Sequence, residues 1–533
     1  MREQNISTAY SGGDRESALA RLERERFDLL VVGGGITGAA IAHRAACENL
    51  RVALVEQNDF ASGTSSRSSR LIHGGLRYLG QGQVRFVYRC LREQQRLAHS
   101  APHLVRPLSV LLPLYGQSST ALWAKRGGMA LYRALQPEPS QLFNKRLDAS
   151  DMLGQEPLLP STALQGGFMC REYLTHDARL VWETVLAAKE EGACALNYLR
   201  LLEFLTCRGR IIGGLLRDEL TGRTLEVQAR VLVNTTGPWS DKLTGRVDAS
   251  SRRLRLTKGV HLVLPRRLLP LSSAVVLFSP GDNRPLVAIP VENMVVVGPT
   301  ETDYEGLPGE AMPEREDTEY LLEALREFFP NCRVTPEDTI ARAGLRPLYD
   351  KRAGRPAGEI SRAYHIEWHS EGLLSVLGGK LTLHRQAATE ALDVLSRKLN
   401  ASHAVDQRHA RAARRLPGAV WNFSPESLTM KLLEAGVSQD CAQHLLRTYG
   451  SRAILFVELL AEDRTWRERI TPQLPHIRAE AVFSMRYEMA TCAEDFMERR
   501  TDLVLRAKMA GCFDEVDLED FWHSLQESAV EYV

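Results

Sequence analysis

The sequence predicts an α/β fold in which a Rossmann-like dinucleotide-binding domain is interleaved with an antiparallel-sheet domain, followed by an all-helical C-terminal domain. The first indication is a strand, glycine-rich turn, helix and second strand that begin at Phe27. The second is a series of short apolar runs, typical of strands, between residues 251 and 339. Beyond residue 410 these runs give way to helical patterns. At 533 residues the chain is too long for one ordinary domain.

The first unit has the spacing of a dinucleotide-binding motif. The apolar run Leu29–Val32 turns through Gly33, Gly35 and Gly38 into an apolar helix, and a second apolar run ends in Glu56. In such a motif the glycines allow a tight turn, close approach to a pyrophosphate, and close packing of helix on strand. The helix N-terminus attracts the anion, and the acid accepts hydrogen bonds from a ribose. The alternative is an ordinary βαβ turn.

Composition excludes several classes of function. The chain is 44% hydrophobic and 25% charged, as expected for a globular protein, and its net charge of +1 gives no global field for nucleic acid. Its nine cysteines form no C-x-x-C pair, which favours reduced thiols in the cytoplasm over a disulfide framework or a metal site. The first 26 residues lack an apolar signal-peptide core, and no apolar run approaches the roughly 18 residues of a membrane-spanning helix.

A loop rich in serine, threonine and glycine follows Glu56. Because it comes directly after the strand that reads the cofactor, we expect the hydroxyl groups of Thr64, Ser65 and Ser66 to line the cofactor. The loop leads to His73 and Arg77, which project from a glycine-flanked backbone. An isolated histidine or arginine is more often packed or solvated, but the whole cluster favours a functional site.

The run Leu71–Tyr78, which reads Leu-Ile-His-Gly-Gly-Leu-Arg-Tyr, follows this serine-rich loop. It resembles the FAD-dependent glycerol-3-phosphate dehydrogenases of the aerobic, respiratory type. The resemblance extends from Phe27 to about Ala510. It implies that the dinucleotide is FAD, bound in a fold of the glutathione-reductase and D-amino-acid-oxidase type.

Four later segments extend the resemblance. They are an Asn-Thr-Thr-Gly-Pro-Trp turn, a Lys-Gly-x-His segment, a Gly-x-Arg-Pro-Leu segment and a Gly-Gly-Lys-Leu-Thr turn that opens a helix. The N-terminus of that helix would stabilise negative charge on the reduced flavin. The resemblance assigns to the cofactor Gly237, Gly378, Gly379, Leu381 and Thr382. Departures from the family pattern occur at His176, Pro299, Glu301, Leu383 and His384.

These motifs predict how the chain divides into domains. An N-terminal extension covers residues 1–26. The FAD-binding domain is discontinuous and takes residues 27–100, 165–250 and 340–400. The substrate domain takes 101–164 and 251–339, and the helical C-terminal domain takes 410–533.

Oxidation of a secondary alcohol by a flavin requires a base near the hydroxyl group and cations that hold an anionic substrate in line. The resemblance implies His73 as the base, with His261 as second choice. Arginine binds a phosphate through two hydrogen bonds, and lysine acts as a point charge. The residues implied for the substrate are Arg77, Lys258, Arg346 and Lys380. The implied reaction converts sn-glycerol 3-phosphate to dihydroxyacetone phosphate by hydride transfer to flavin N5.

The resemblance also implies partners, because members of the family are peripheral membrane enzymes. The electrons would pass to a membrane quinone, with the protein on the cytoplasmic face of the membrane. The segment Leu122–Arg133 mixes aromatic and apolar residues with cations, which suits an anionic membrane surface. The alternative is a half-buried surface helix broken by two glycines. The oligomeric state stays open, a homodimer included.

Three other functions fit part of the sequence. The first is the same oxidation with O2 as acceptor, since O2 reactivity depends on access to the flavin rather than on a motif. The second is an amine or amino-acid oxidase, which would leave the Lys-Gly-x-His and Gly-x-Arg-Pro-Leu pairing unexplained. The third is a catalytically inactive flavin-binding module. The departures from the family pattern keep it open, whereas the presence of His73, Arg77, His261, Arg346 and Lys380 argues against it.

Overall fold

The computed structural model describes residues 12–137, 145–247, 254–350, 360–399, 415–513 and 518–530. Within these ranges the chain forms two β-sheets and a C-terminal group of helices. This arrangement confirms the predicted fold class. The sheets meet where the predicted site residues lie.

The first sheet carries the dinucleotide motif. Its strands, numbered in chain order, are β1 (Arg26–Val32), β2 (Val52–Val55), β7 (Cys194–Leu196), β8 (Leu199–Cys207), β9 (Arg210–Asp218), β10 (Thr224–Asn234), β17 (Tyr364–Ser370) and β18 (Leu373–Gly378). The strand order is β17-β18-β10-β1-β2-β7, and β9 joins β8 to β10. The strands from β18 to β7 pair in parallel. Strand β2 is apolar and wholly buried, as expected where helices cover both faces of a parallel sheet.

The second sheet is almost wholly antiparallel. It contains β3 (Leu71–Ile72), β4 (Arg106–Tyr115), β5 (Lys145–Leu147), β6 (Leu164–Leu174), β11 (Leu254–Pro265), β12 (Ala274–Phe278), β13 (Pro285–Val291), β14 (Met294–Gly298), β15 (Thr302–Tyr304) and β16 (Ile340–Tyr349). The order is β15-β11-β14-β13-β12-β4-β6-β3, with β16 on β11 and β5 on β6. The apolar runs between residues 251 and 339 are therefore strands, as predicted.

The boundary between the two predicted domains differs from the prediction. Strand β3 lies within the predicted 27–100 segment, β6 crosses the predicted boundary at 165, and β16 lies beyond the one at 340, yet all three pair in the second sheet. Strand β16 pairs with β11 from Leu254 opposite Tyr349 to Val263 opposite Ile340. This long register carries the Gly-x-Arg-Pro-Leu segment into the substrate-side sheet.

Helices surround the sheets and form the C-terminal part of the chain. They are α1 (Gly12–Arg24), α2 (Ile36–Cys47), α3 (Leu76–Leu79), α4 (Val84–Ser100), α5 (Ser119–Ala134), α6 (Ala149–Gln155), α7 (Asp177–Glu190), α8 (Ser240–Thr244), α9 (Arg315–Phe328), α10 (His384–Leu399), α11 (Pro425–Glu434), α12 (Gln439–Tyr449), α13 (Ile454–Glu462), α14 (Arg478–Glu488), α15 (Leu503–Ala510) and α16 (Leu518–Val530). A π-helix covers Asp495–Arg500. Helix α2 packs against α7 and α10 beside the first sheet.

Local signals explain several of these boundaries. Helix α11 begins where Ser424 accepts a hydrogen bond from the Ser427 amide, with Pro425 in the first turn. Helix α5 runs without a break through Gly127 and Gly128, contrary to the interruption that the two glycines suggested. The predicted start of the helical domain, residue 410, lies outside the described residues. Among the described helices, none combines the length and the apolar character that crossing a bilayer demands.

Candidate active site

A cleft of about 540 Å³ opens at the carboxyl ends of the first sheet's parallel strands. Nine of the predicted cofactor residues line it: Gly33, Gly35, Glu56, Thr64, Ser65, Gly237, Gly378, Gly379 and Leu381. Ligands of open α/β sheets bind at this edge. The other three predicted residues, Gly38, Ser66 and Thr382, support the wall from behind.

The glycine turn after β1 has the geometry that its motif predicts. Gly33 has a φ of +109°, and Gly35 is extended at the N-terminus of α2. A Cβ at Gly38 would collide with the carbonyl oxygen of Gly33. The Ser65 hydroxyl lies 3.0 Å from the amide nitrogen of Ile36 in the first turn of α2. The serine-rich loop therefore closes over the helix N-terminus that would receive a pyrophosphate.

Glu56 lies beneath the turn, where no cation of the described residues pairs with its carboxylate. Its carboxylate accepts hydrogen bonds from the Gly34 amide at 2.7 Å and the Asn58 amide at 3.1 Å. Burial raises the pKa of Glu56 to about 7, although the hydrogen bonds from these amides lower it. Among the described residues, no ion pair involves this carboxylate, so hydroxyl donors from a ribose would complete its environment.

The second glycine turn brings Lys380 to the opposite wall of the cleft. Gly378 and Gly379 have φ values of +70° and +103°, and the chain then enters α10. The Lys380 ammonium nitrogen is buried and donates to no described protein atom, although it lies 4.3 Å from the centre of the Tyr78 ring. A buried ammonium without a hydrogen-bond acceptor fits an anionic ligand.

His73 lies beside this lysine. The Thr382 hydroxyl is 3.4 Å from the His73 carbonyl oxygen. Burial, together with the positive charges of Lys380 and Arg77, holds the pKa of His73 well below its usual range. The imidazole is therefore neutral near pH 7 and has a lone pair for a proton.

A buried carboxylate and amide hold the backbone on both sides of His73. Glu172 accepts from the Gly74 amide at 2.8 Å, and Gln94 donates to the Ile72 carbonyl, also at 2.8 Å. A Cβ at Gly74 would collide with the Tyr132 hydroxyl, which itself donates to Glu172. The position of the imidazole is thus fixed by packing and hydrogen bonds rather than by a flexible loop.

Arginines converge around Arg77, whose charge also acts on His73. Burial, followed by the charges of Arg284 and Arg77, lowers the pKa of Arg346 to about 10. The pKa of Arg362 is lowered by burial and by the same two neighbours. The buried carboxylate of Glu301 pairs with Arg362 and lies 3.3 Å from Arg284.

Positive charge therefore exceeds negative charge among these arginines and Lys380, of which Lys380 lines the cleft itself. Arg77, Arg346 and Lys380 form no ion pair with any described residue. Several guanidinium groups around the Glu301 carboxylate, from buried Arg362 to exposed Arg77, form the arrangement expected of a site for a phosphate dianion. We call the set Arg77, Arg284, Arg346, Arg362 and Lys380 the cationic cluster.

Two predicted residues lie outside the cationic cluster. The buried ammonium group of Lys258 is 2.7 Å from Glu314 and 2.9 Å from Asp317, so α9 already neutralises it. His261 contacts the Ser69 hydroxyl at 2.9 Å and lines a small separate cavity. Burial, Arg346, Arg342 and Arg70 lower the pKa of His261 to about 3. Side chains alternate along β11, which puts these two residues on opposite faces of the strand.

Sequence reasoning missed several residues of the site. Arg284 lies just before β13 and Arg362 just before β17, and only the folded chain brings them together. The strand start at Leu199–Leu202 and the ring of Trp239 also line the cleft. Alternation along β8 could have indicated a buried face, but no pattern connects that face to a cofactor.

The departures from the family pattern fall in two groups. Glu301 is the counter-charge of the cationic cluster, so it takes part in the site. His176 caps α7 and lies 2.9 Å from Asp502, far along the chain in the helical domain. Leu383 and His384 are buried at the start of α10. Pro299 precedes Thr300, whose carbonyl oxygen accepts from Arg346 at 3.3 Å.

The cleft fits the FAD that the resemblance implies. The N-terminus of α2, the Glu56 carboxylate and the Lys380 ammonium group, which has no hydrogen-bond acceptor among the described residues, all lie around this cleft. Each matches one part of a flavin dinucleotide: the pyrophosphate, a ribose and the flavin edge that becomes negative on reduction.

Comparison with known families agrees with this geometry. The family model described as FAD dependent oxidoreductase matches residues 28–385, and that of the C-terminal domain of alpha-glycerophosphate oxidase matches residues 410–512. An aerobic glycerol-3-phosphate dehydrogenase of Staphylococcus saprophyticus is 35% identical over 91% of this chain and 88% of its own. One from Staphylococcus aureus is 34% identical over 92% and 90%.

Solved structures give the same picture. The glycerol-3-phosphate dehydrogenase from Bacillus halodurans, complexed with FAD, superposes with a TM-score of 0.76 at 30% identity over 97% of each chain. The L-alpha-glycerophosphate oxidase from Mycoplasma pneumoniae, with FAD bound, superposes with a TM-score of 0.56 at 17% identity over 70% of this chain and 95% of its own. The second likeness shows a common fold only.

Proposed function

Because the chain belongs to the FAD-dependent glycerol-3-phosphate dehydrogenase family, we propose that it oxidises sn-glycerol 3-phosphate to dihydroxyacetone phosphate and passes the electrons to a membrane quinone. The observation that carries the proposal is the cationic cluster, whose Lys380 lines the FAD cleft. Glycerol alone or a neutral amine would not require so many cations. A phosphate dianion next to the reacting carbon would.

The residues divide into two roles. Arg346, Arg362, Arg284 and Arg77 bind the phosphate group and hold the substrate in line, which removes the entropic cost of orientation during the reaction. His73, neutral because of its lowered pKa, accepts the proton of the substrate's C2 hydroxyl group. The bound FAD supplies the hydride acceptor. Lys380 stabilises negative charge where substrate and cofactor meet.

Glu172, Gln94 and Gly74 are positioning residues in this proposal. They hold the peptide on each side of His73 and do not reach the reacting atoms. Their hydrogen bonds are buried, so moving the base away from the substrate would cost substantial free energy. His261 and Lys258 have no part in phosphate binding, because Ser69 and two α9 carboxylates occupy them.

The first test is anaerobic bleaching of the flavin absorbance of the purified holoenzyme. We expect rapid bleaching by sn-glycerol 3-phosphate and none by glycerol or glycine. Bleaching by glycine would instead favour an amino-acid oxidase. A bound flavin that none of the three compounds reduces would end the proposal and favour a non-catalytic role.

The surface of α4 and α5 supports the proposal that the protein contacts a membrane and passes electrons to a quinone there. Trp123 is 70% exposed with the Arg126 guanidinium 5.1 Å from its ring centre, and Tyr88 and Leu131 are also exposed. Aromatic and aliphatic side chains flanked by cations suit a lipid–water interface. The same helix carries buried Tyr132, whose hydroxyl donates to Glu172, so this surface adjoins the site.

Flotation with anionic vesicles tests the membrane contact. The wild-type holoenzyme should float with the vesicles, and Trp123→Ser should reduce the floated fraction without changing flavin bleaching. A matched control is Leu307→Ser, since Leu307 is 61% exposed in the loop after β15 and lies outside α4 and α5. Equal flotation of all three proteins would remove α5 from the proposal.

O2 is a second candidate acceptor, favoured by the match of residues 410–512 to the domain described for alpha-glycerophosphate oxidase. Aerobic turnover distinguishes the two acceptors. Stoichiometric peroxide without added quinone would support the oxidase. Turnover that depends on a quinone analogue, with little peroxide, would support the dehydrogenase.

A further inference from the structure

A second arginine-lined cavity lies between the helical domain and the two sheets. It encloses about 210 Å³ and shares no lining residue with the FAD cleft. Its described walls come from β4, the turn between β6 and α7, the turn between β13 and β14, and helices α12 and α15. The cavity therefore touches all three parts of the molecule.

Three guanidinium groups surround the Glu292 carboxylate at this cavity, whose lining also includes Asp502, paired with Arg70, and the exposed Asp440, paired with Arg469. Arg106 lies 3.2 Å from Glu292. Burial opposes ionisation of Glu292, but Arg506, Arg106 and Arg447 together lower its pKa. In the part of the chain that the structure describes, neither Arg447 nor Arg506 forms an ion pair. The cavity thus has the same imbalance as the cationic cluster of the active site.

Several buried polar atoms at the cavity also have no hydrogen-bond partner among the described residues. They are the Thr175 hydroxyl oxygen, both ring nitrogens of His103, and Nε of Arg506. These side chains are 3%, 7% and 9% exposed, respectively, so bulk water does not satisfy them freely. A buried polar atom without a partner costs free energy, and a ligand that accepts hydrogen bonds removes this cost.

We propose that this cavity binds a small phosphate dianion, either free phosphate or the phosphate group of a small monoester. Arg106, Arg447 and Arg506 supply charge and paired N–H donors, and the Thr175 hydroxyl supplies a further donor. The anion joins α12 and α15 of the helical domain to β4 and the β6–α7 turn. Arg70, three residues before His73 in the chain, lines the same cavity, so occupancy stiffens the segment that holds the base.

Calorimetric titration of the holoenzyme with inorganic phosphate tests the proposal independently of the substrate assignment. We expect two phosphate sites per chain. Arg447→Gln should weaken one of them about tenfold or more, with KM for sn-glycerol 3-phosphate changed less than about twofold. Because Arg447 is exposed, its replacement should leave the fold intact. Arg464→Gln, an exposed arginine of the same domain away from the cavity, is the matched control and should change neither site.

Arg346→Gln separates this site from the substrate site. It should weaken only the phosphate site that Arg447→Gln leaves intact. Thr175→Val, which keeps the side-chain volume, should weaken the cavity site without altering charge. The Arg346→Gln protein is then titrated with glycerol 2-phosphate. If this ester binds to the cavity as tightly as inorganic phosphate, the cavity is a site for phosphate monoesters. If only inorganic phosphate binds, it is a site for free phosphate. A single site, weakened by Arg346→Gln and indifferent to Arg447→Gln and Thr175→Val, would overturn the proposal.

Discussion

Two arginine-rich regions of the molecule differ in how their charges are balanced. At the seam between the first sheet and the helical domain, Asp59 accepts hydrogen bonds from Arg499 and Arg500, each at 2.7 Å. All three side chains are buried. At the active site, Arg346 is half-buried, but the buried carboxylate within the cationic cluster, Glu301, pairs with other arginines.

The seam repeats its pattern at a second carboxylate. Glu488 lies 2.9 Å from Arg179 and 2.8 Å from Arg452, all of them buried. These residues belong to the helical domain and to α7, so the ion pairs tie the domain to the first sheet. A buried guanidinium that faces a carboxylate is structural, whereas one that faces only other cations is suited to an anionic ligand. Counting arginines in the sequence cannot make this distinction.

The largest expected effect comes from unbalancing the seam. Asp59→Asn removes the carboxylate that Arg499 and Arg500 share. Arg499 keeps its pair with Asp495, and Arg500 keeps Glu488 at 3.8 Å, so the loss should be about 3 kcal/mol, the lower end for a broken buried pair. Urea denaturation of the holoenzyme should show this loss in the free energy of unfolding. Asp440→Asn is the matched control, because the exposed Asp440–Arg469 pair is worth at most about 1 kcal/mol. Equal losses for both variants would mean that the seam is no more stabilising than a surface pair.

Removing a cation from the active site should weaken substrate binding and leave stability almost unchanged, the opposite of the effect expected at the seam. Arg346→Ala should raise KM for sn-glycerol 3-phosphate about tenfold to hundredfold, since a hydrogen bond to a charged group contributes about 1.5–3 kcal/mol. Stability and flavin content should change little, because the lowered pKa of Arg346 shows that the fold disfavours its charge. Arg315→Ala, on the exposed face of α9, is the control for charge removal. An unchanged KM would remove Arg346 from the substrate site.

Glu301→Gln should separate binding from stability at one residue. Without this carboxylate the cluster attracts anions more strongly, so inorganic phosphate should inhibit about three- to tenfold more tightly. The same change leaves Arg362 without its ion pair, so the free energy of unfolding measured without phosphate should fall by about 1–3 kcal/mol. Weaker inhibition by phosphate would contradict the view that Glu301 limits the positive potential.

The cofactor side of the site could be predicted from the sequence because it is formed mainly by backbone groups in glycine turns. Gly33, Gly35 and Gly38 lie within six residues of one another, and the turn they form is local. The same holds for the turn at Gly378 and Gly379. A short motif therefore contains nearly all the information that places the pyrophosphate end of the cleft.

The substrate side could be predicted only in part, because it is assembled from distant side chains. Arg284 and Arg362 join the cluster through sheet pairing and loop packing, which leave no local pattern. Lys258 shows the converse: its motif suggested the substrate, but strand alternation turns it toward Asp317 on α9. Sequence analysis did not predict the seam, since no pattern near Asp59 indicates that it pairs with Arg499 and Arg500.

Glu56 extends the comparison to a carboxylate that pairs with no cation in the part of the chain that the structure describes. Burial raises its pKa to about 7, so in the protein without cofactor the carboxyl is largely protonated at pH 6 and ionised at pH 8. Hydrogen bonds from a ribose favour the ionised form, and the dissociation constant for FAD should therefore be about tenfold larger at pH 6 than at pH 8. The raised pKa also means that the stability of the cofactor-free protein falls as pH rises from about 4.5 through 7.

Fluorescence titration of the apoprotein with FAD measures how the dissociation constant changes with pH. Glu56→Gln should abolish this pH dependence while weakening binding at pH 8. If wild type and variant showed the same pH dependence, another group would titrate and Glu56 would not hold the ribose.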